Sequence, residues 1–217
     1  MVKTVMPLAI VAALSIAGAG PLKAAAAENA VRVPRVAAAG LGDAAVWQKA
    51  PAVSGFRSLL MGAPAASKTE CRLAHTETAL VVRCTAFQNL ESVQDGVLSA
   101  TSQTGDYMAL SVIVGTDVEH AQQHLYYISP KGRTFTMGTT APPRGWSAVV
   151  TTTPISWTAT FTVPFATGGS ACVHTSWRIA VLRNAPSQGG PAVWPYDAAA
   201  QPLSWASSKP LVFMGSH

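Results

Sequence analysis

Charge is scarce in this chain: 12% of its residues are Asp, Glu, Lys or Arg, and only ten are acidic. The basic residues, among them Arg32, Arg35, Lys49, Arg57, Lys68, Arg72 and Arg83, are scattered along the sequence. No run or stripe of them offers the cationic track that a nucleic-acid backbone requires, which excludes nucleic acid as a partner. The acids show no recognisable pairing for acid–base chemistry. There is no Gly-Xaa-Ser-Xaa-Gly, no His-Glu-Xaa-Xaa-His and no phosphate loop. Together these absences argue against an enzyme. Long amphipathic helical periods are missing as well, and "TDVEHAQQH" would support only a short helix. On such a helix His120 and His124, at i and i+4 beside Glu119, would share a face, but no third metal ligand lies nearby.

Apolar runs are confined to the start. Lys3, then "VMPLAIVAALSIAGAG", then the small residues of "KAAAAEN" read as a signal peptide over residues 1–27, cleaved after Ala27. The run is too short and too rich in Gly and Ala for a spanning helix of ~20 apolar residues. The sequence therefore implies a secreted or periplasmic protein, free of the membrane after cleavage. Removing the segment takes away Lys3 and Lys23 and no acid, so the net charge falls from +5 to +3. What remains suits one domain with a full core. Residues 28–40, "ENAVRVPRVAAAG", read as an extended leader, and residues 41–217 as the domain, with Trp47 anchoring its first segment.

Cysteines number three. In "ECRLAHTETALVVRC", pairing His75 with Leu80 across the turn sets Cys71 opposite Cys84, a register suited to a cross-strand bridge. A Cys84–Cys172 bridge, or three reduced core thiols, remain open alternatives.

What the chain has in plenty is period-two alternation. "SWTATFTVPF", residues 156–165, places Trp157, Ala159, Phe161, Val163 and Phe165 on one face and Thr158, Thr160 and Thr162 on the other. Pro164 has no N–H for a ladder and belongs at a strand end or edge. Nine strands are expected, at 70–75, 79–87, 107–114, 124–129, 134–138, 146–152, 156–165, 176–183 and 211–214. Turn formers such as "SPKGR" and "ATGGS" separate them. Short strands with tight turns in one domain predict an all-β, antiparallel β-sandwich of jelly-roll or immunoglobulin-like type, with little helix.

Several segments also line up in a known order. "TECRLAHTETALVVRCTAFQN", "GDYMALSVIVG", "HLYYISPKGRTF", "SWTATFTVPF", "WRIAVLRN" and "SWASSKPLVFMG" resemble successive pieces of carbohydrate-binding module family 9 and its DOMON-like relatives. The match covers roughly residues 41–215. It implies an extracellular sandwich that binds an oligo- or polysaccharide without catalysis. The chain departs from the family at three places. Met108, Ala109 and Leu110 stand where a glutamate is usual, Thr160 where an acid is usual, and Ala180 where an asparagine is usual. Such residues hold sugar hydroxyls or a structural calcium in family members, so no cofactor is expected here.

Sugars are held by an aromatic face with polar side chains around its rim. Trp157 and Trp177 alternate into strands and read as core. Trp146, Trp194 and Trp205 stand in loop-like sequence, and Trp194 ranks first because it follows the strand ending in Arg183 and Asn184. Arg183 offers a planar fork of donors to vicinal hydroxyls, although pairing with Asp106 or a loop carbonyl would serve as well. Tyr126 and Tyr127 point to opposite faces, so one lines the core and Tyr126 is the candidate for a groove. The expected ligand contacts are thus Trp194, Arg183, Asn184, Trp146, Trp205 and Tyr126. Two other functions fit the same fold. One is a protein-interaction sandwich that has lost its sugar site. The other is a DOMON-like haem domain drawing axial ligands from Met108, Met137, His124 or His174.

Overall fold

A computed structural model describes residues 30–141, 144–165 and 176–215. Two sheets pack face to face. Sheet A runs β1 (Val31–Val33), β13 (Lys209–Phe213), β11 (Ser176–Asn184), β6 (Tyr107–Gly115), β7 (Gln122–Ile128) and β8 (Thr134–Gly138). β12 (Ala192–Trp194) joins the C-terminal half of β11 and carries β3 (Arg57–Ser58) on its far side. Sheet B runs β2 (Ala52–Val53), β4 (Thr69–His75), β5 (Ala79–Phe87), β10 (Ser156–Pro164) and β9 (Ser147–Thr153). Every pairing is antiparallel except β1 with β13. The expected all-β antiparallel sandwich is therefore the fold, and each of the nine expected strands is present.

Alternation decides which side chains meet between the sheets. From β10 come Trp157, Ala159, Phe161 and Val163, and from β5 Leu80, Val82, Cys84 and Ala86. β6 adds Met108, Leu110 and Val112, and β11 adds Trp177, Ile179 and Val181. The threonines of β10 face outward, and Thr158 bonds Thr85 on β5 between hydroxyls 2.9 Å apart. β9 begins at Ser147, opposite Thr162, so Pro164 lies beyond the end of β9 and leaves no ladder donor missing on that side. Phe165 then meets Trp177 and Phe213 edge-on, at 5.2 and 5.3 Å between ring centres, and closes that end of the sandwich.

Three corrections follow. Residues 28–40 are not wholly a leader, since Val31–Val33 pairs with β13 and Val33 is fully buried in the inter-sheet core. The four strands that alternation did not reveal, β1, β2, β3 and β12, are two or three residues long, too short to show a period. The segment carrying His120 and His124 is not a helix. His120 sits in an exposed turn where Asp117 Oδ1 accepts from its backbone N–H and faces its Nδ1 at 2.8 Å, while His124 points inward from β7. The one α-helix among the described residues, α1 (Ala44–Lys49), has Asp43 as its N-cap and buries Trp47 on the outer face of sheet B. Arg72 caps its far end by donating to the carbonyls of Trp47, Gln48 and Ala50.

Cys71 stands opposite Cys84, and the two form a disulfide, in the register set by His75 against Leu80. Cys172 and His174 lie outside the described residues.

Candidate functional site

The outer face of sheet A carries an apolar patch, which is unusual for a surface strand face and calls for a cover. Ala109, Tyr127, Ala180 and Leu182 form its floor. Two loops build its walls. The loop before β6 is held shut by Asp106, whose Oδ2 accepts from Gln94 N–H at 2.6 Å, and by Asn184, whose Nδ2 donates to Gly105 O at 2.7 Å. The loop between β12 and β13 lays Leu203 over the floor.

Leu203 has φ +62°, a region that leucine enters only when its surroundings hold it there. Its carbonyl accepts from Ser111 Oγ at 3.1 Å and Gln123 Nε2 at 2.5 Å, both rising from the sheet below. The end of the same loop is pinned by Arg178, which stacks over Trp205 at 4.9 Å and donates to Ser208.

Between this loop and Leu59 lies a partly open pocket of about 110 Å³. Val193, Pro195 and Pro202 give it apolar walls, while Tyr196, Asp197 and Ser207 bring an aromatic ring, a carboxylate and a hydroxyl. Gly62 lets Tyr196 sit where it does. A Cβ on Gly62 would stand 2.6 Å from the tyrosine oxygen, and its φ of +65° disfavours any side chain. Gly62→Ala is expected to push Tyr196 off its wall, read as a change in tyrosine accessibility to iodination with the fold retained by circular dichroism.

The six expected contacts do not converge. Trp194 alternates with Val193 and so packs, half-buried, toward the inter-sheet core rather than into the pocket. Trp146 is half-buried at the opposite edge of the sandwich, where the chain crosses from β8 to β9, and meets Tyr126 at a tilt of 54° with ring centres 5.1 Å apart. Trp205 lies on the pocket's own loop, against Arg178. Tyr126 is fully buried between the sheets, and burial pushes its phenol well above the ordinary value. Asn184 is engaged with Gly105.

Arg183 is 1% exposed. Its two terminal nitrogens donate to Ser67 Oγ at 2.7 Å, Thr69 Oγ1 at 3.2 Å, Gln88 Oε1 at 2.6 Å and Lys68 O at 3.4 Å, while its Nε is buried without a partner among the described residues. The cleft it borders holds about 10 Å³, room for one water and not for a sugar. The residues that line the larger pocket, Tyr196 and Asp197, follow Trp194 directly in "AVWPYD". A three-residue strand gave no parity to show that the tryptophan turns inward while its successors turn out.

For a haem, the candidate ligands are poorly placed. His124 faces the interior and Met137 is partly exposed, opposite Leu125 on the other face. Met108 pairs with Ile128, four residues along β7 from His124. Among the described residues no group of three or more His, Cys, Asp or Glu side chains gathers to hold a metal ion.

His124 has a different consequence. Its Nδ1 is buried without a partner, against Gly138, and burial lowers its pKa below 6.5. The unfolded chain therefore binds a proton more readily than the folded one just below that pH. Stability is expected to fall as pH drops from about 6.5, until His124 is charged in both states. Urea midpoints across that range should show the slope, and His124→Leu should flatten it.

The architecture defines a class: a two-sheet antiparallel sandwich with a loop-walled pocket on the outer face of one sheet. Its fold is that of carbohydrate-binding module family 9. A family 9 module from Caldicellulosiruptor kristjanssonii in complex with cellotriose superposes with a TM-score of 0.58 at 10% identity, covering 86% of this chain and 94% of that one. A protein from Bacteroides uniformis, proposed to bind carbohydrate, gives 0.60 at 11% identity over 84% and 98%. The Caldicellulosiruptor module with glucose gives 0.56 at 9% identity over 86% and 97%. No family model matches the sequence. No curated protein matches it either.

Proposed function

We propose that this chain is an exported, non-catalytic carbohydrate-binding module that seats a sugar against Tyr196 in the pocket on the outer face of sheet A. The observation that carries this reading is the pocket's chemistry. An aromatic ring stands beside a carboxylate and a hydroxyl over an apolar wall, the combination that pairs the axial hydrogens of a pyranose with acceptors for its hydroxyls. Likeness of fold alone would not assign a function. It does set the first ligands to try, because its neighbours were solved with glucose and cellotriose. Secretion or a periplasmic location is supported by the signal-like start and by the disulfide.

Trp205 shares the pocket's loop and Trp194 precedes its Pro195 wall, so indole emission should report binding. Titration with glucose and cello-oligosaccharides is expected to change that emission. Tyr196→Ala and Asp197→Asn should each weaken affinity by roughly tenfold or more, with unchanged unfolding midpoints. A Trp194→Ala variant that loses binding while Tyr196→Ala keeps it would move the sugar to the β12 edge. No response to any glycan on an array would sink the reading.

A further inference from the structure

The edges of the two sheets are not guarded alike. β1 is three residues long and carries Arg32; β2 and β3 are two residues each, with Arg57 on β3. β8 is preceded by Lys131 and Arg133 and ends in Gly138. Shortness and charge are the usual devices that keep an edge from pairing with another chain. β9 has neither. It is seven residues long, Ser-Ala-Val-Val-Thr-Thr-Thr, with no charge, proline or glycine, and it ends sheet B.

Its hairpin with β10 shows which backbone groups have no strand partner among the described residues. Thr153 pairs with Ser156 across the two-residue turn Pro154–Ile155, so Thr153, Thr151, Val149 and Ser147 bond to β10. Ala148, Val150 and Thr152 then turn their N–H and C=O groups outward. Beside them Val149 is 59% exposed and Ile155 71% exposed.

We infer that β9 pairs antiparallel with β9 of a second copy, about a two-fold axis through Val150, joining two five-stranded sheets into one. The choice of a second copy rests on self-complementarity. In this register Val150 meets Val150, Val149 meets Thr151, Ala148 meets Thr152 and Ser147 meets Thr153. Two-fold pairing sets each strand against its own composition, so charges of one sign would be brought together, and β9 has none. The aliphatic and threonine pairs are those that antiparallel strands favour. Val150 and Ala148, packed against the inter-sheet core, would extend that core across the axis. The pocket beside Tyr196 lies on the far side of the other sheet, so pairing leaves it open in both copies.

The test is the oligomeric state of the full chain by light scattering after size exclusion, over a range of concentrations. The wild type should be a dimer that dissociates on dilution. Val149→Lys with Thr151→Lys sets lysine against lysine twice and should weaken the dimer by roughly tenfold or more. Val149→Lys with Thr151→Glu sets lysine against glutamate and should keep it. Both pairs of substitutions are on the outer face, and matching circular dichroism melts would show the fold intact. A wild type that is monomeric throughout overturns the inference, as does a Lys–Lys variant that stays dimeric. Loss of the dimer in both variants overturns the register through Val150.

Discussion

Replacing Arg183 by alanine is expected to lower the unfolding free energy by about 3–5 kcal/mol, one of the largest effects of any single substitution in the chain. The guanidinium lies between the sheets at the end of β11, opposite Met108 on β6. It joins the start of β4 (Thr69, with Ser67 and Lys68 before it) to Gln88 just past β5, and so ties sheet A to sheet B. Alanine would leave a cavity and strip Gln88, itself buried, of its donor. Burial draws the Arg183 pKa down to about 10, against the pull of nearby Asp106, which favours the charged form. The cation is thus held at some cost, and its bonds are what offset it. Arg183→Lys keeps the charge but not the fork and should fall between wild type and alanine. Urea unfolding would measure all three. Because the side chain does not reach the Tyr196 pocket, glycan affinity in the folded fraction should not change. An alanine variant with an unchanged midpoint, or one that stays folded and loses only glycan binding, would return Arg183 to the role of ligand contact.

Arg183 also shows where the sequence was legible and where it was not. Strand parity was clear over long strands: "SWTATFTVPF" announced its inner and outer faces residue by residue, and "WRIAVLRN" placed Trp177 in the core. By the same parity Arg183 shares the inner face of β11 with Trp177, Ile179 and Val181. A polar residue at a strand end reads as a rim contact only if the sandwich stops there, and here Thr69 and Gln88 continue the interior past it. Tyr126 and Tyr127 posed the same question in miniature. Alternation required one to face the core and could not say which, since both faces of β7 are covered, one by sheet B and the other by Phe135 and Tyr107.

The pocket itself was out of reach for a different reason. Its residues come from Leu59 just after a two-residue strand, from Val193 in a three-residue strand and from an irregular loop, where spacing carries no period. Leu203 reads as an ordinary loop leucine until the structure shows it in the left-handed region, clamped by Ser111 and Gln123. Six tryptophans point to indoles as the platform, yet the aromatic ring that lines the pocket is the half-buried Tyr196.

The Cys71–Cys84 bridge was legible because a hairpin fixes register locally, and it supports the second large prediction. Both sulfurs are fully buried on the inner face of sheet B, and the bridge closes a span of 13 residues. Replacing both cysteines by alanine should cost about 3 kcal/mol, chiefly by releasing the unfolded chain. The turn already holds β4 and β5 in register through Thr76, whose Oγ1 accepts from Thr78 and Ala79, so the folded variant should keep the same pairing. Burial adds a kinetic signature. In the folded protein a thiol reductant should leave the bridge intact, whereas the same reductant in urea should free both cysteines for alkylation, read by the mass of the peptide that carries them. Prompt reduction under native conditions would mean that β4 and β5 separate far more often than a fully packed inner face permits. An alanine pair with the wild-type midpoint would mean that the hairpin constrains the unfolded chain as tightly without its cross-link as with it.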